Sequence, residues 1–303
     1  MFYRASIPLI SAVLSAIVMI TAQHSAPPDL EASSIRPVVP GKLLLRMQSR
    51  IESKQFRSLF DTVVRNQEWD VSETAIIVCD MWNDNYCKRM AQRVDQIVPR
   101  LNATLSDARE LGVMVIHAPS GVVDHYSQTP QRKRMLLQTP TSSSSTLGWC
   151  HRDPVCEPEL PLDVSKQTCG DPVIAPSVRV FSRQHPGIDI IGFDGISDSG
   201  DEIVSFLQKQ GIKNVAMTGV STNGCVLGRP FGIRQLVRLG FNVVLVRDLT
   251  ESSYDPRQPP YVSHKRGSQL VLEHIEKYWC PTVGSADLRR VIVGTDGPVV
   301  QDQ

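Results

Sequence analysis

The sequence predicts an α/β fold in which a doubly wound, mostly parallel, Rossmann-like sheet is covered by helices on both faces, giving three α/β/α layers. Short runs rich in apolar and β-branched residues, such as 74–79, are typical of strands that are buried on both faces. Segments with apolar residues at helical spacing alternate with these runs along the chain. Because strands and helices alternate and no internal repeat is visible, one parallel sheet with crossover helices is favoured.

The main domain is expected to begin near Ser72, and its elements follow in chain order. A first strand at 74–79 leads into a long amphipathic helix at 89–111, which is expected to end at Gly112. The second strand is expected at 113–117. The later elements are expected as a strand at 177–181, a helix at 200–210, a strand at 214–218, a helix at 225–239, a strand within 240–250, a helix at 261–279 and an edge strand at 290–293.

The N-terminal segment has the layout of a secretory signal peptide. A positive charge at Arg4 is followed by an apolar or small-residue run at 7–21 and by small residues before Pro27. The run has about 15 residues, fewer than the roughly 20 that span a bilayer, so cleavage is expected rather than an uncleaved anchor. We therefore divide the chain into a signal peptide at 1–26, a linker and N-terminal extension at 27–71, the main domain at 72–295 and a tail at 296–303, and expect a secreted or periplasmic protein.

The extension and the long insert of the main domain are harder to assign. A short strand at 42–50 and a helix at 53–65 would together form an accessory cap. Between 118 and 176 the regular pattern lapses, and a loop of this length inside a compact domain is usually functional or held by disulfides. It contains a serine run at 142–145 and Trp149. We expect this insert to form a lid.

The charge balance argues against nucleic acid as a partner. The chain has 303 residues, a formal net charge of +1, and 32 basic against 31 acidic residues. The basic residues are scattered rather than arranged in a stripe, so no surface is predicted to attract polyanions. A small-molecule substrate is therefore the expected partner, with a homo-oligomer as a further possibility.

The odd number of cysteines implies a free thiol. An exported chain with an odd cysteine count leaves at least one cysteine unpaired, and we expect Cys225 to be that one. Cys79 lies in an apolar run and is expected to be buried, and no Cys-x-x-Cys or paired-histidine spacing indicates a structural zinc site. A disulfide is expected in the Pro-rich stretch that contains Cys150, Cys156 and Cys169, although spacing does not fix its pairing. The seven cysteines are Cys79, Cys87, Cys150, Cys156, Cys169, Cys225 and Cys280.

Cys225 is a candidate nucleophile because it follows a strand and a turn of small residues and begins a predicted helix. Unpaired N–H groups and the helix dipole there favour a thiolate and can hold an oxyanion. The alternative is a small apolar residue packed under the helix. Asp80, His117 and Arg183 also follow predicted strands, where ligands bind in open α/β sheets. Asp80 would take the thiol proton with Arg183 as its orienting cation, unless Asp80 only caps the next helix.

Three segments resemble the isochorismatase-like cysteine hydrolases, which include nicotinamidases and N-carbamoylsarcosine amidases. They are Ile77-Val78-Cys79-Asp80-Met81-Trp82-Asn83, Gly219-Val220-Ser221-Thr222-Asn223-Gly224-Cys225-Val226 and Gly240-Phe241-Asn242-Val243-Val244-Leu245-Val246-Arg247-Asp248, and the resemblance extends over 72–279. It implies an isochorismatase-like fold, Asp80 as base, Cys225 as nucleophile and a cis peptide between Val220 and Ser221. Arg183 stands where the family has lysine, and arginine cannot reproduce the compact lysine donor. Since the Asp-x-His pair of metal-dependent members is absent after Trp82, no metal or other cofactor is expected.

The function expected from these features is hydrolysis of an amide-type C–N bond through a cysteine thioester. Asp80, Arg183 and Cys225 are the expected catalytic residues. The candidate substrate-binding residues are Trp82, Asn83, His117, His185 and Ser221. Three other functions compete: an isochorismatase-type enol-ether hydrolase in which Cys225 is dispensable, a non-catalytic secreted binding protein, and a redox protein, which is disfavoured because no nearby resolving cysteine is evident.

Overall fold

The computed structural model describes residues 36–37, 39–56, 59–138, 146–165, 168–173, 176, 178–289 and 291–292. The expected signal peptide at 1–26 and the tail at 296–303 lie outside these residues. The strands are β1 (Lys42–Glu52), β2 (Phe60–Asp70), β3 (Thr74–Cys79), β4 (Met114–Ala118), β5 (Gly195–Ile196), β6 (Asn214–Val220), β7 (Asn242–Glu251), β8 (Thr282–Val283) and β9 (Val291–Ile292). The α-helices are α1 (Lys88–Glu110), α2 (Pro130–Leu136), α3 (Gly200–Lys209), α4 (Cys225–Gly228), α5 (Ile233–Arg238) and α6 (His264–Tyr278).

All nine described strands form one mixed sheet. Its order is β2-β1-β8-β7-β6-β3-β4-β5, and β9 pairs with β1. The strands from β3 to β8 pair in parallel, whereas β1 is antiparallel to β2, β8 and β9. The predicted doubly wound, mostly parallel sheet is therefore confirmed.

Two apolar clusters, one on each face of the sheet, produce the three layers. Side chains of β3 alternate between them, so that Ile76 packs in the cluster with α1 and Ile77 packs in the cluster with α3, α5 and α6. The buried stripe of α1 repeats every three or four residues, which is why this helix covers its face of the sheet. No helix within the described residues is both long enough and apolar enough to cross a membrane.

Two expected elements are absent. The strand expected at 177–181 is not found at 178–181, where Val178 and Val180 are 56% and 40% exposed, and the edge of the sheet is instead formed by β5. The helix expected at 53–65 is wrong because 60–65 belongs to β2, whose β-branched residues extend the hairpin with β1. Through the pairing of Gln48 with Thr282, that hairpin continues the main sheet instead of forming a separate cap.

The single helix expected at 225–239 is broken into α4 and α5. Pro230 lies between them and cannot donate the backbone hydrogen bond that a continuous helix needs. Cys225 therefore begins a helix of only four residues. The other expected helices are confirmed as α1, α3 and α6, with bounds that differ by one to three residues.

A disulfide ties the insert to the start of α1. Cys169 pairs with Cys87, which the sequence did not single out, so the expectation of a bond in this stretch holds for only one of its cysteines. Asp171 reinforces the link, because its carboxylate accepts hydrogen bonds from the backbone N–H groups of Lys88 and Arg89 at 2.8 and 3.0 Å. Cys79, Cys150, Cys156, Cys225 and Cys280 are free.

Glu157 anchors the middle of the insert against α5 and α6. Its fully buried carboxylate accepts two hydrogen bonds from Arg234, at 2.7 and 2.8 Å, and lies 3.0 Å from Nε2 of His274. Although burial acts to raise the pKa of Glu157, the bonds from His274 and Arg234 lower it from 4.5 to about 2. The insert is therefore held by a buried ion pair as well as by the disulfide.

Replacing Glu157 by Gln should cost about 3 kcal/mol of unfolding free energy at pH 7, because the lowered pKa is a stabilisation of the ionised native state. This stabilisation is complete above pH 4.5 and is lost as the pH falls toward 2, so the difference from wild type should shrink to about 1 kcal/mol at pH 3. Urea unfolding of wild type and Glu157→Gln at pH 7 and pH 3 measures this difference in stability. The control is Glu159→Gln, since Glu159 is 88% exposed; equal effects of the two substitutions would contradict the anchor.

Gly219 lets β3 and β6 approach at the end that carries the candidate site. It pairs with Cys79 across the two strands and has φ of +102°. A Cβ at this position would overlap the carbonyl oxygen of Cys79, which is backbone and cannot move aside without disturbing the sheet. Only glycine satisfies both constraints.

Gly219→Ala should therefore destabilise the fold by more than about 3 kcal/mol. The control is Gly240→Ala, where φ is also positive, at +85°, but no atom lies within 4 Å of the added Cβ. The unfolding free energy of that variant should fall by only about 1 kcal/mol, the cost of a positive φ at a residue with a Cβ. Urea unfolding of the two variants separates steric overlap from backbone strain, and comparable losses would refute the steric argument.

Candidate active site

The site lies at the carboxyl ends of the adjacent strands β3 and β6. Asp80 directly follows β3, and Cys225 follows β6 after a four-residue turn. Because the strands are parallel neighbours, their ends bring the two side chains together, and the Cys225 thiol contacts the Asp80 carboxylate. The expectation that strand ends would assemble these two residues is met, while their catalytic roles stay predictions.

Asp80 is held in an unusual conformation by its surroundings. Its side chain is fully buried, and its φ of +51° lies in the left-handed region that non-glycine residues seldom adopt. Its N–H donates to Ala118 O at 3.0 Å, and its Oδ1 accepts from Ser120 N at 2.8 Å. The loop after β4 thus fixes both the backbone and the side chain of Asp80, and such local strain is found most often at functional sites.

The cation beside Asp80 is Arg229. Its Nε and Nη2 both donate to Asp80 Oδ2, at 2.9 and 2.8 Å. The expected placement of Arg183 beside Asp80 is wrong, because Arg183 is exposed and no hydrogen bond or ion pair joins it to Asp80 within the described residues. The sequence feature that could have identified Arg229 is its four-residue spacing from Cys225, which places the two side chains on one face of a helical turn.

The surroundings of Cys225 favour the thiol over the thiolate. Burial and then the Asp80 charge raise its pKa to about 12, although Arg229 acts to lower it. Burial also raises the pKa of Asp80, against the lowering effects of Arg229, Cys225 and Ser120. The raised pKa runs against the expectation that a helix N-terminus makes Cys225 a thiolate, because burial and then the Asp80 charge outweigh the dipole of a helix of only four residues.

The turn before Cys225 is rigidly tied to the rest of the sheet. Ser221 O accepts hydrogen bonds from the N–H groups of Gly224 and Val226, at 3.0 and 3.1 Å, and the N–H of Cys225 is not among its donors in the described structure. Thr222 N donates to Glu251 O at 2.9 Å, at the end of β7. The peptide between Val220 and Ser221 is cis, as the resemblance implied. Ser221 thus lies in the turn that presents the candidate nucleophile.

Trp82 and Asn83 lie close to Asp80, and both take part in structural contacts. The Trp82 indole donates to Ser120 O at 3.2 Å and stacks on Phe181 with 4.1 Å between ring centroids. Oδ1 of Asn83 accepts from the backbone N–H of Arg183 at 3.2 Å, which fixes the loop that carries Arg183. Trp82 therefore remains a candidate wall residue, while Asn83 positions a neighbouring loop.

Neither candidate histidine is placed to meet a substrate. His117 is fully buried, with Nδ1 3.1 Å from Gln184 Oε1 and Nε2 3.0 Å from Asp194 Oδ2, so both ring nitrogens are engaged. His185 pairs through Nε2 with Asp95 at 3.0 Å, on the outer surface of α1. His117 was expected in the pocket because it follows a predicted strand, and His185 was expected there from a loop. Polar partners within the fold engage both side chains.

The insert contributes one residue that the sequence did not single out as part of the site. The ring of Trp149 lies over the guanidinium of Arg229, with 5.7 Å between the Arg229 Cζ and the ring centroid. Next to it, Cys150 N donates to Gly228 O at 2.7 Å, which docks the insert on α4. Trp149 is thus the insert residue that lies beside the ion pair, while a lid formed by the insert stays a prediction.

The described residues contain one group with metal-ligand spacing, at Cys87, Cys169 and Asp171. Its two sulfur atoms form the disulfide, and the Asp171 carboxylate caps α1, so these groups already have partners. At Asp80, the Oδ2 oxygen faces the guanidinium of Arg229, which donates hydrogen bonds and offers no lone pair to a metal. The side chains around Asp80 therefore resemble a proton-transfer site more than a set of metal ligands.

Arg229→Ala should destabilise the protein by about 3 kcal/mol, because it leaves the buried Asp80 carboxylate without its cation. Arg183→Ala, which removes an exposed side chain, should change stability by less than about 0.5 kcal/mol. Urea unfolding at pH 7 tests both, and a larger loss for Arg183→Ala would restore the sequence-based assignment.

Comparison with known proteins supports the resemblance drawn from the sequence. The family model described as "Isochorismatase domain" matches residues 168–266, about a third of the chain, which include Cys225 and Arg229 but not Asp80. A search of curated proteins gave no significant match.

Several solved structures are similar to the chain at low identity. A cysteine hydrolase from Pseudomonas syringae pv. phaseolicola 1448A is 18% identical, with a TM-score of 0.46, over 73% of this chain and 92% of that chain. N-carbamoylsarcosine amidase from Thermoplasma acidophilum is 14% identical, with a TM-score of 0.38, over 70% and 96%. Pyrazinamidase of Pyrococcus horikoshii in complex with zinc is 17% identical, with a TM-score of 0.40, over 70% of this chain and 99% of that chain.

Identities and TM-scores this low say nothing about the substrate. The match over 168–266 nevertheless confirms the resemblance to the isochorismatase family that the sequence motifs indicated.

Proposed function

We propose that the protein hydrolyses an amide-type C–N bond of a small molecule through a thioester on Cys225. The observation that supports this most directly is the contact of the half-buried Cys225 with a buried carboxylate that is itself paired with an arginine. Nucleophile, base and orienting cation are thereby present together, which is the arrangement that activates a weak nucleophile.

In the acylation half, Asp80 takes the S–H proton as the sulfur of Cys225 attacks the amide carbonyl. The raised thiol pKa means that this proton moves during the attack and not before it. The new C–S bond yields a tetrahedral oxyanion, which the N–H groups of Cys225 and of the preceding turn stabilise. The protonated Asp80 then gives its proton to the departing nitrogen, so that the C–N bond breaks and a thioester and a free amine form.

In the deacylation half, Asp80 is again a carboxylate and accepts a proton from water. The water oxygen attacks the thioester carbonyl, the C–S bond breaks, and the proton on Asp80 returns to the sulfur. The products are a carboxylic acid and the original thiol. Arg229 serves both halves because its charge stabilises the carboxylate against the burial that raises its pKa.

An enol-ether hydrolase that works through Asp80 is the second candidate. The raised pKa of Asp80 favours it, because a carboxylic acid that keeps its proton can protonate an enol ether directly. Cys225 would then be dispensable. The redox alternative has a second thiol nearby in Cys79, but Cys79 is fully buried and burial raises its pKa well above the usual range, which keeps it an unreactive thiol.

The non-catalytic alternative rested on Arg183 standing in place of the family lysine. Arg229 now supplies a cation at Asp80 from another position, so an arginine at 183 no longer argues against catalysis.

We also propose that the protein is exported, on the basis of residues 1–26 and of the disulfide between Cys87 and Cys169, since disulfides persist in oxidising compartments.

Cys225→Ala should abolish turnover in a screen of small amides, with at least a ~10³-fold loss for an amide that the wild type hydrolyses. Asp80→Asn should do the same, because the base is removed. Turnover that survives Cys225→Ala but not Asp80→Asn would exclude the thioester and favour the enol-ether reaction.

The same Asp80 variant should change thiol reactivity in the opposite direction. Removing the carboxylate removes a charge that raises the Cys225 pKa and leaves Arg229, which lowers it. Iodoacetamide should therefore label Cys225 faster in Asp80→Asn than in wild type at pH 8, as measured by peptide mass spectrometry. Slower labelling would contradict the electrostatic account of the pair.

A further inference from the structure

Trp149 packs closely on α4 at Gly228, where an added Cβ would displace its ring. A Cβ added to Gly228 would lie 2.5 Å from both Cε2 and Cζ2 of the Trp149 ring. The neighbouring hydrogen bond from Cys150 N to Gly228 O, at 2.7 Å, fixes the same stretch of the insert. The indole is therefore seated on the helical turn that begins with Cys225, in contact with the backbone.

From that position the indole faces the cation of the site. The Arg229 Cζ lies 5.7 Å from the ring centroid, which is within cation–π range, while the other end of the guanidinium holds Asp80 Oδ2. Arg229 is thus bounded by Asp80 on one side and by Trp149 on another. A long side chain with several rotatable bonds loses much of its freedom between two such partners.

The indole also faces open space next to the nucleophile. It lines a cavity of about 640 Å³ together with Asn223 and Gly224, the two residues before Cys225. Trp149 is 42% exposed, so one part of the ring contacts protein and another faces this cavity. A group that enters the cavity would meet Trp149 beside the turn that carries the thiol.

We propose that Trp149 is a positioning residue that acts through Arg229, holding the guanidinium on Asp80 and so setting the reactivity of Cys225. The insert is then part of the catalytic apparatus, fastened to it by the seat at Gly228. This inference rests on the proposed function for its catalytic meaning, but the effect on the thiol is measurable without a substrate.

The test is the rate at which iodoacetamide labels Cys225 between pH 8 and pH 10, resolved by peptide mass spectrometry. Below the thiol pKa this rate follows the thiolate fraction, and Arg229 lowers the pKa of Cys225. Trp149→Ala should therefore slow labelling by about threefold across this range, the size expected for losing one partly exposed cation–π contact. Exposed Cys156 serves as the internal reference in the same digest.

Matched variants separate positioning from general damage. Gly228→Ala, which displaces the ring without removing it, should slow labelling as Trp149→Ala does, whereas Trp149→Phe should restore most of the rate. Gly148→Ala is the control for the glycine substitution, because no atom lies within 4 Å of its added Cβ. In an Arg229→Ala background, Trp149→Ala should have no further effect on the rate, since the residue it acts through is absent.

The inference is overturned if Trp149→Ala and Gly228→Ala leave the Cys225 rate unchanged or raise it, or if the slowing persists without Arg229. Its failure is distinguishable from that of the proposed function. If labelling slows as expected but no amide is hydrolysed, the positioning role stands and the hydrolase proposal fails. If amides are hydrolysed and labelling of Trp149→Ala matches wild type, only the positioning role fails.

Discussion

The buried ion pair between Asp80 and Arg229 is the interaction on which the site depends. A carboxylate with no exposed surface is tolerated only with a partner, and here the partner comes from the turn that presents the candidate nucleophile. The pair is linked to the sheet through Ser120 and to the insert through Trp149. Four separate segments of the chain therefore meet at this ion pair: the end of β3, the turn of α4, the loop after β4 and the insert.

Much of the fold was predictable because each parallel strand is buried on both faces and each covering helix has one apolar stripe. The apolar run of β3 and the periodicity of α1 are local signals that tertiary packing only reinforces. The hairpin of β1 and β2 was not predictable in this way, since β2 is mostly exposed and carries little alternation. Likewise, β5 has only two residues and no recognisable pattern.

The positions of site residues were predictable where the end of a strand fixes them. They were not predictable where a side chain reaches a partner on another segment of the chain. Asp80 and Cys225 follow from the rule for open sheets. His117 instead pairs with Gln184 inside the fold, and Arg183 is exposed because the strand expected before it is not formed at 178–181. Arg229 was missed because the spacing from Cys225 shows only that the two residues share a turn, and not that the Arg229 side chain reaches Asp80 at the end of β3. The thiol state was missed because charge and burial, which no local pattern reveals, outweigh a short helix dipole.

Cys225 and Arg229 belong to one turn, closed by the hydrogen bond from Arg229 N to Cys225 O at 3.0 Å. The separation of their backbones is consequently a property of local helical geometry. Asp80 alone reaches the site across a strand boundary. In the proposed mechanism, the distance between the base and the nucleophile therefore depends on how the end of β3 lies against the turn after β6, and the parallel pairing of these two strands sets it.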